Sequence, residues 1–206
     1  VLAHSSGDNG FITDMRNGDD PYEPVGEAAG ITRKKAKILM LADLYGQSAA
    51  SAAFSNGWTL DQAKQIIRTI RQNLPILYKL VWALKDQSEQ QGHVTTLTGR
   101  VLDQRLVVGG EVVKHIAYRG PNSFCQGSAY DILQHAIIEL DRRGLSDHIH
   151  MWMHDEIIAD VSIQEELEEV MRTPPPFLAA VAETQHVDPF LVVDTDVMGP
   201  RWITPE

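Results

Sequence analysis

Residues 151–160 read MWMHDEIIAD, two short apolar segments interrupted by a histidine and an acidic pair. Side chains of an extended chain alternate between faces, and HIHMWM (148–153) and EIIADV (156–161) each predict a strand. The break at His154-Asp155 then reads as the turn of a hairpin. A hairpin tip presents carboxylates well, because the strands on either side fix its backbone. Asp155 could there bind Mg²⁺, a hard cation that takes oxygen ligands and keeps several waters. Read alone, the same residues also describe an acidic surface turn. His148, His150 and His154 fall on one side of an extended strand, so a zinc site stands as a further reading beside a histidine-decorated sheet face.

Upstream of that hairpin, residues 121–143 predict a long helix, and RLVVGGEVV (105–113) predicts a second hairpin around Gly109-Gly110. HVTTLTG (93–99) reads as a strand. TLDQAKQIIRTIRQN (59–73) reads as a helix capped by Thr59, and another helix follows Pro75. A helical pattern also runs from Thr32 to about Tyr45, with Gly46 as its stop. VLAHSSGD (1–8) reads as the end of a helix, and RNGDDPYEPVGEAAG (16–30) as loop. Downstream, IQEELEEVMR (163–172) predicts an acidic helix ended by Pro174-Pro175-Pro176, and FLVVDTDV (190–197) a final strand. Helices and hairpins in this mixture predict an α+β fold rather than alternating βαβ units.

The 206 residues suffice for one sizeable domain or two lobes sharing a core. Hydrophobic residues make up 43% and charged residues 22%, the balance of a water-soluble globular chain. No apolar run approaches the roughly 20 residues that span a bilayer, so no membrane partner is expected. No export signal is visible, and the sole cysteine, Cys125, has no partner for an intrachain disulfide; a reducing cytoplasm follows as the expected compartment. The net charge of −10 argues against indiscriminate nucleic-acid binding but not against a local basic track. One such track exists: TRKKAK places Arg33, Lys34, Lys35 and Lys37 together.

Arg33, Lys37, Leu41 and Tyr45 are spaced by four, so each advances about 40° around a helix and all share one broad face with a rise of about 18 Å. That face reads cation, cation, apolar, aromatic. It suits an extended nucleoside triphosphate, with the cations at the phosphates and the apolar end at sugar and base. An amphipathic helix with a solvated basic end fits the same residues. Asn122 and Gln126, also four apart, can read minor-groove acceptors shared by every base pair; helix capping and a satisfied amide are the plainer alternatives.

Taken in order, these segments resemble the polymerase module of family A DNA polymerases, the bacterial polymerase I type. RKKAKILMLADLYG (33–46) is similar to the fingers-helix motif B, and MHDEIIADV (153–161) to motif C on the palm hairpin. NSFCQGSAYDILQHAI (122–137) resembles the helix facing the primer–template, VTTLTGR (94–100) the fingers segment ending in Gly-Arg, and VLAHSSGD (1–8) the helix start after motif A. MGPRW (198–202) resembles the Gly-x-x-Trp near many family C-termini. The short segment before motif B and RTPPPF (172–177) look phage-like.

This resemblance implies a right-hand palm, with an antiparallel sheet carrying the motif C hairpin, plus helical fingers. It divides the chain into palm (1–22), fingers (23–117) and palm (118–206). It implies nucleotidyl transfer from a dNTP to a primer 3′-hydroxyl in replication or repair, with primer–template DNA and dNTPs as partners and two Mg²⁺ ions as cofactors. Asp155 is then a metal-bridging aspartate, Glu156 an accessory acid, and His154 a support for the primer terminus or for the turn. Lys37 and Arg33 bind the triphosphate, Leu41 meets the sugar, and Tyr45 packs at the nascent pair. Asn122 and Gln126 check duplex geometry, and Arg100 touches its backbone. The family's other metal-binding aspartate and its ribonucleotide-excluding glutamate belong to motif A, upstream of the residue matching Val1. The expectation is therefore a fragment or excerpt of a bacterial or phage-encoded enzyme, without thumb or exonuclease, inactive until a missing N-terminal segment completes it. Departures are Leu41, where the family usually has an aromatic ring; Asp43, which has no evident role; and Arg119, three rather than four residues before Asn122. Two other readings remain: an inactive or split-polymerase nucleic-acid-binding module, and a metal-dependent hydrolase using His148, His150, His154 and Asp155.

Overall fold

The computed structural model describes residues 1–199. Three short helices open the chain: α1 (Leu2–Ser6), α2 (Asn9–Asn17) and α3 (Glu23–Ala29). The last corrects the expectation of a loop through Gly30. Pro24 sits in the first turn of α3, where a missing N–H breaks no hydrogen bond, and Val25 supplies a buried anchor. Thr32, Ser48 and Thr59 each accept a hydrogen bond from the backbone N–H three residues on, starting α4 (Arg33–Leu44), α5 (Ala49–Asn56) and α6 (Leu60–Asn73). Thr59 and Gln62 complete a reciprocal capping box. Pro75 begins α7 (Pro75–Gln91), which Gly92 closes. Helix α5 was not anticipated from sequence; its alanines carry little periodic contrast.

Strand β1 (His93–Thr95) is shorter than predicted, because the chain turns back at once: Thr96 accepts from the Gly99 N–H at 3.0 Å. It pairs antiparallel with β2 (Val101–Asp103), which sequence reading did not find. The hairpin β3 (Arg105–Val108) and β4 (Glu111–His115) turns at Gly109-Gly110 as expected. Next comes α8 (Gly120–Arg142), followed by the hairpin β5 (Ile149–Met153) and β6 (Glu156–Ala159). Helix α9 (Gln164–Arg172) ends before the three prolines, and Pro176 starts a further unanticipated helix, α10 (Pro176–Thr184). Residues 190–197 form no strand, correcting the FLVVDTDV expectation: a strand needs a neighbour to complete its ladder, and the Phe190 N–H instead donates to His4 Nε2 at 3.2 Å. The residues 200–202 of MGPRW lie outside the described part.

Helices α3 to α7 share one apolar core, including Leu39, Leu44, Ile67, Ile70 and Leu77. Leu84, Val94 and Phe124 join α7, β1 and α8. Ala136, Leu140 and Val170 pack with Ile149 and Ile157, seating the β5–β6 hairpin on α8 and α9. The fold is therefore α+β, helices with small antiparallel sheets. Among the described residues no helix is long and apolar enough to cross a membrane.

Candidate functional site

The β5–β6 hairpin turns through two residues, His154 and Asp155. His154 has φ 58, in the left-handed region, which costs a side-chain-bearing residue about 1–2 kcal/mol. That geometry leaves His154, Asp155 and Glu156 exposed at the tip. At the base, the Asp160 N–H donates to the His148 carbonyl at 2.9 Å. The Asp160 carboxylate receives His148 Nδ1 at 3.0 Å and His150 Nε2 at 2.8 Å. A carboxylate accepts, so each of those ring nitrogens carries the proton. The two hydrogen bonds, His148's first, hold the Asp160 carboxyl below its usual range. The three-histidine zinc arrangement is thus not assembled. Two rings face Asp160, while His154 lies about 13 Å further along an extended chain from His150. Among the described residues no group of three or more His, Cys, Asp or Glu side chains is placed to hold a metal.

Along α4, Arg33 and Lys37 both stand exposed over one ring, Tyr22, each 5.8 Å from its centroid. Arg33 also pairs with Asp20. Leu41 is half-buried, and Tyr45 caps the helix with its ring partly exposed. The Tyr45 hydroxyl accepts a hydrogen bond from Gln126 Nε2 at 2.9 Å, and burial pushes the phenol above its ordinary value. Gly46 follows with φ 87, and a Cβ there would meet Tyr118 Cδ2 at 2.6 Å. Only glycine satisfies both conditions. Asp43 points the other way, into the helical core, where it meets Arg71 and Tyr78.

Asn122, Ser123, Gln126 and Tyr130 of α8, with Arg100, Leu102 and Gln104, line an open depression of about 460 Å³. Asn122 lies inside the first turn of α8 rather than at its cap, which Arg119 occupies. Gly127 lets α8 approach the β1–β2 turn: a Cβ there would meet Leu102 Cδ1 at 2.6 Å. Arg100 is held within the protein, donating to Asp131 from Nε (3.0 Å) and Nη2 (2.7 Å), and to the Gly127 carbonyl at 2.9 Å. Burial opposes ionisation of Asp131, but hydrogen bonds from Thr96, Thr98 and Arg100 outweigh it and keep its carboxyl below the usual range. Sequence reading passed over Asp131, although an acid inside the apolar AYDIL run was a signal for a buried partner.

Helix α8 is the common beam. Its N-terminal half touches Tyr45 through Gln126, and its C-terminal half carries the acidic hairpin through Leu140, about 21 Å further along the axis. Helix α8 thus connects the Tyr45 end of α4 with the hairpin that carries MHDE. A family-wide sequence profile, DNA polymerase family A, matches residues 1–202. The chain belongs to that family. Its similarity to the DNA polymerase of Mycobacterium phage L5 is 27% identity over 165 residues, covering 80% of this chain and 26% of that protein. With DNA polymerase I of Lactococcus lactis subsp. lactis (strain IL1403) it shares 30% identity over 190 residues, covering 82% and 21%. Among solved structures, the POL domain of Pol1 from M. smegmatis, in complex with DNA primer-template and dNTP, superposes with a TM-score of 0.67. That match has 25% identity and covers 87% of this chain and 34% of the other. The family A chain spans about a quarter of the length of these curated relatives.

Proposed function

We propose that this chain supplies the fingers and part of the palm for template-directed DNA synthesis, the transfer of a nucleotidyl group from a dNTP to a primer 3′-hydroxyl. Residues 23–117 act as fingers, and residues 1–22 and 118–206 as palm. The observation that carries this reading is the Gln126–Tyr45 hydrogen bond, which links the end of the nucleotide face to the helix that faces the duplex. A bacterial cytoplasm is the compartment this reading implies.

Arg33 and Lys37 neutralise the triphosphate. The Arg33–Asp20 pair is exposed and screened by solvent, so a polyanion with several charges displaces Asp20 cheaply. Leu41 offers an apolar contact to the sugar, and Tyr45 closes the base end. Asn122 and Gln126 donate to the minor-groove acceptors common to all correct pairs, while Arg100 turns its remaining N–H groups to the duplex backbone. Asp155, with Glu156 beside it, provides adjacent exposed carboxylates, the oxygen donors Mg²⁺ takes when it is held by one or two acids plus substrate phosphates. Bound there, Mg²⁺ (two ions in the complete family A site) supplies charge stabilisation of the phosphates and activation of the primer hydroxyl. His154 supports the primer end.

Fluorescence anisotropy with a labelled primer–template and the 206-residue chain tests this reading. Binding should weaken as salt rises, and Asn122→Ala and Gln126→Ala should each weaken it about fivefold, the loss of roughly one hydrogen bond. A complementary dNTP with Mg²⁺ should tighten it, and Asp155→Asn should remove the Mg²⁺-dependent part. Salt-independent binding, or no response to both amide variants, would sink the proposal.

A further inference from the structure

Behind the exposed face of α4 lies a charged cluster in which Asp43 and Tyr78 are buried while the Arg71 side chain is 42% exposed. The Asp43 side chain is 3% exposed. Its Oδ1 accepts from Arg71 Nη2 at 2.7 Å, and its Oδ2 from Arg71 Nε at 2.9 Å and the Tyr78 hydroxyl at 2.8 Å. Arg71 belongs to α6 and Tyr78 to α7, so one carboxylate ties three helices together. Burial first, and the Asp43 charge second, push the Tyr78 phenol far above its usual value, so it stays a donor. Arg71 and Tyr78 also line a cavity of about 270 Å³ that reaches Gly46, Gln47 and Tyr118 at the end of α4.

Apolar residues of similar volume would hold three helices together about as well, because burying the Asp43 charge is expensive even with a partly exposed guanidinium beside it. A forked guanidinium on a carboxylate supplies something that apolar packing lacks, namely a fixed plane and direction. Asp43 lies two residues before Tyr45, about 200° away around the helix. A contact that fixes the rotation of α4 at Asp43 therefore sets where Tyr45 aims on the opposite side, and with it the outward row of Lys37 and Arg33.

We propose that Asp43, Arg71 and Tyr78 form a positioning latch that fixes the rotation of α4 and so holds Arg33, Lys37 and Tyr45 in register for the incoming nucleotide. The latch rests on the reading of α4 as the nucleotide face, and its residues touch no substrate.

The test uses the 206-residue chain with primer–template and Mg²⁺. Titration with a fluorescent dNTP gives nucleotide affinity, thermal melting gives stability, and hydrogen exchange gives the protection of amides 41–46. In the double variant Asp43→Leu/Arg71→Leu, melting should fall only by what the unpaired Tyr78 hydroxyl costs, affinity for primer–template alone should be unchanged, and dNTP affinity should fall about tenfold. Arg71→Lys keeps the charge but not the fork; it should lose about half of that effect on a logarithmic scale and exchange faster at amides 41–46. Should the double variant fail to fold, Tyr78→Phe keeps the packing and should weaken dNTP binding two- to threefold. A folded double variant, or Tyr78→Phe in its place, that binds dNTP as wild type does makes the cluster a stabilising contact and overturns the latch. Wild-type chain that binds primer–template but no dNTP overturns the nucleotide reading of α4. Unchanged exchange at amides 41–46 in Arg71→Lys overturns the latch itself.

Discussion

The hairpins β3–β4 and β5–β6 are similar in length, antiparallel, and joined by two-residue turns, yet they are held in opposite ways. The first turns at Gly109 and Gly110, both with positive φ, where glycine adopts the conformation without strain. Among its described side chains Leu106, Val107, Val108, Val112 and Val113 are all about half exposed or more. The second places an imidazole at positive φ and a carboxylate beside it, and its Ile149 and Ile157 are packed over Leu140 and Val170. Strain at a turn persists where the surroundings over-determine it. The seated hairpin can hold a side chain in an unfavourable conformation; the free one uses residues that need no support.

The largest expected contrast is in the seats. Leu140 is fully buried beneath β5–β6, so Leu140→Ala should cost about 3 kcal/mol from lost burial and the cavity left behind. Val108 is 60% exposed, and Val108→Ala should cost less than about 0.5 kcal/mol. Urea unfolding of the two variants measures both. Comparable losses would mean that β3–β4 is seated too, and would break the contrast.

The turns themselves should respond with opposite signs. Gly109→Ala forces a Cβ into the left-handed region and should destabilise by about 1–2 kcal/mol. His154→Gly relieves the same strain, offset by the extra chain entropy of glycine, and should stabilise by about 0.5–1 kcal/mol. Equal signs in urea midpoints would show that the His154 conformation carries no strain. A gain in stability together with weaker primer–template binding would sharpen the case that the turn is kept for its side chain.

Both hairpins were legible in the sequence because alternation and turn residues are local signals. So were α4, α6, α7 and α8, whose caps or prolines lie within a turn of the helix start. The acidic tip and the α4 row could be nominated for the same reason. What remained hidden depends on partners distant in sequence. Asp43 looked purposeless until it met Arg71, 28 residues on, and Tyr78, 35 residues on. Arg100 read as a contact to the duplex backbone, and nothing nearby in sequence showed that Asp131, 31 residues away, engages it. The run 190–197 had the composition of a strand, and composition does not reveal whether a neighbouring strand exists to pair with it.

The smallest effect concerns the base of the seated hairpin. His148 and His150 hold the Asp160 carboxyl below its ordinary 3.8, so the folded state binds a proton there less readily than the unfolded chain. The stability from this contact is complete above that ordinary value and is lost as pH falls through the depressed one. Asp160 is solvent-accessible, which makes the contribution modest and salt-sensitive. Asp160→Asn removes the titrating group while keeping its shape. The gap in urea midpoint between wild type and Asp160→Asn should therefore be larger at pH 5 than at pH 2.5, and smaller in high salt. A gap that stays constant or widens toward acid would show that the two histidines do not clasp the base of the hairpin, leaving Ile149 and Ile157 as the whole of its anchorage.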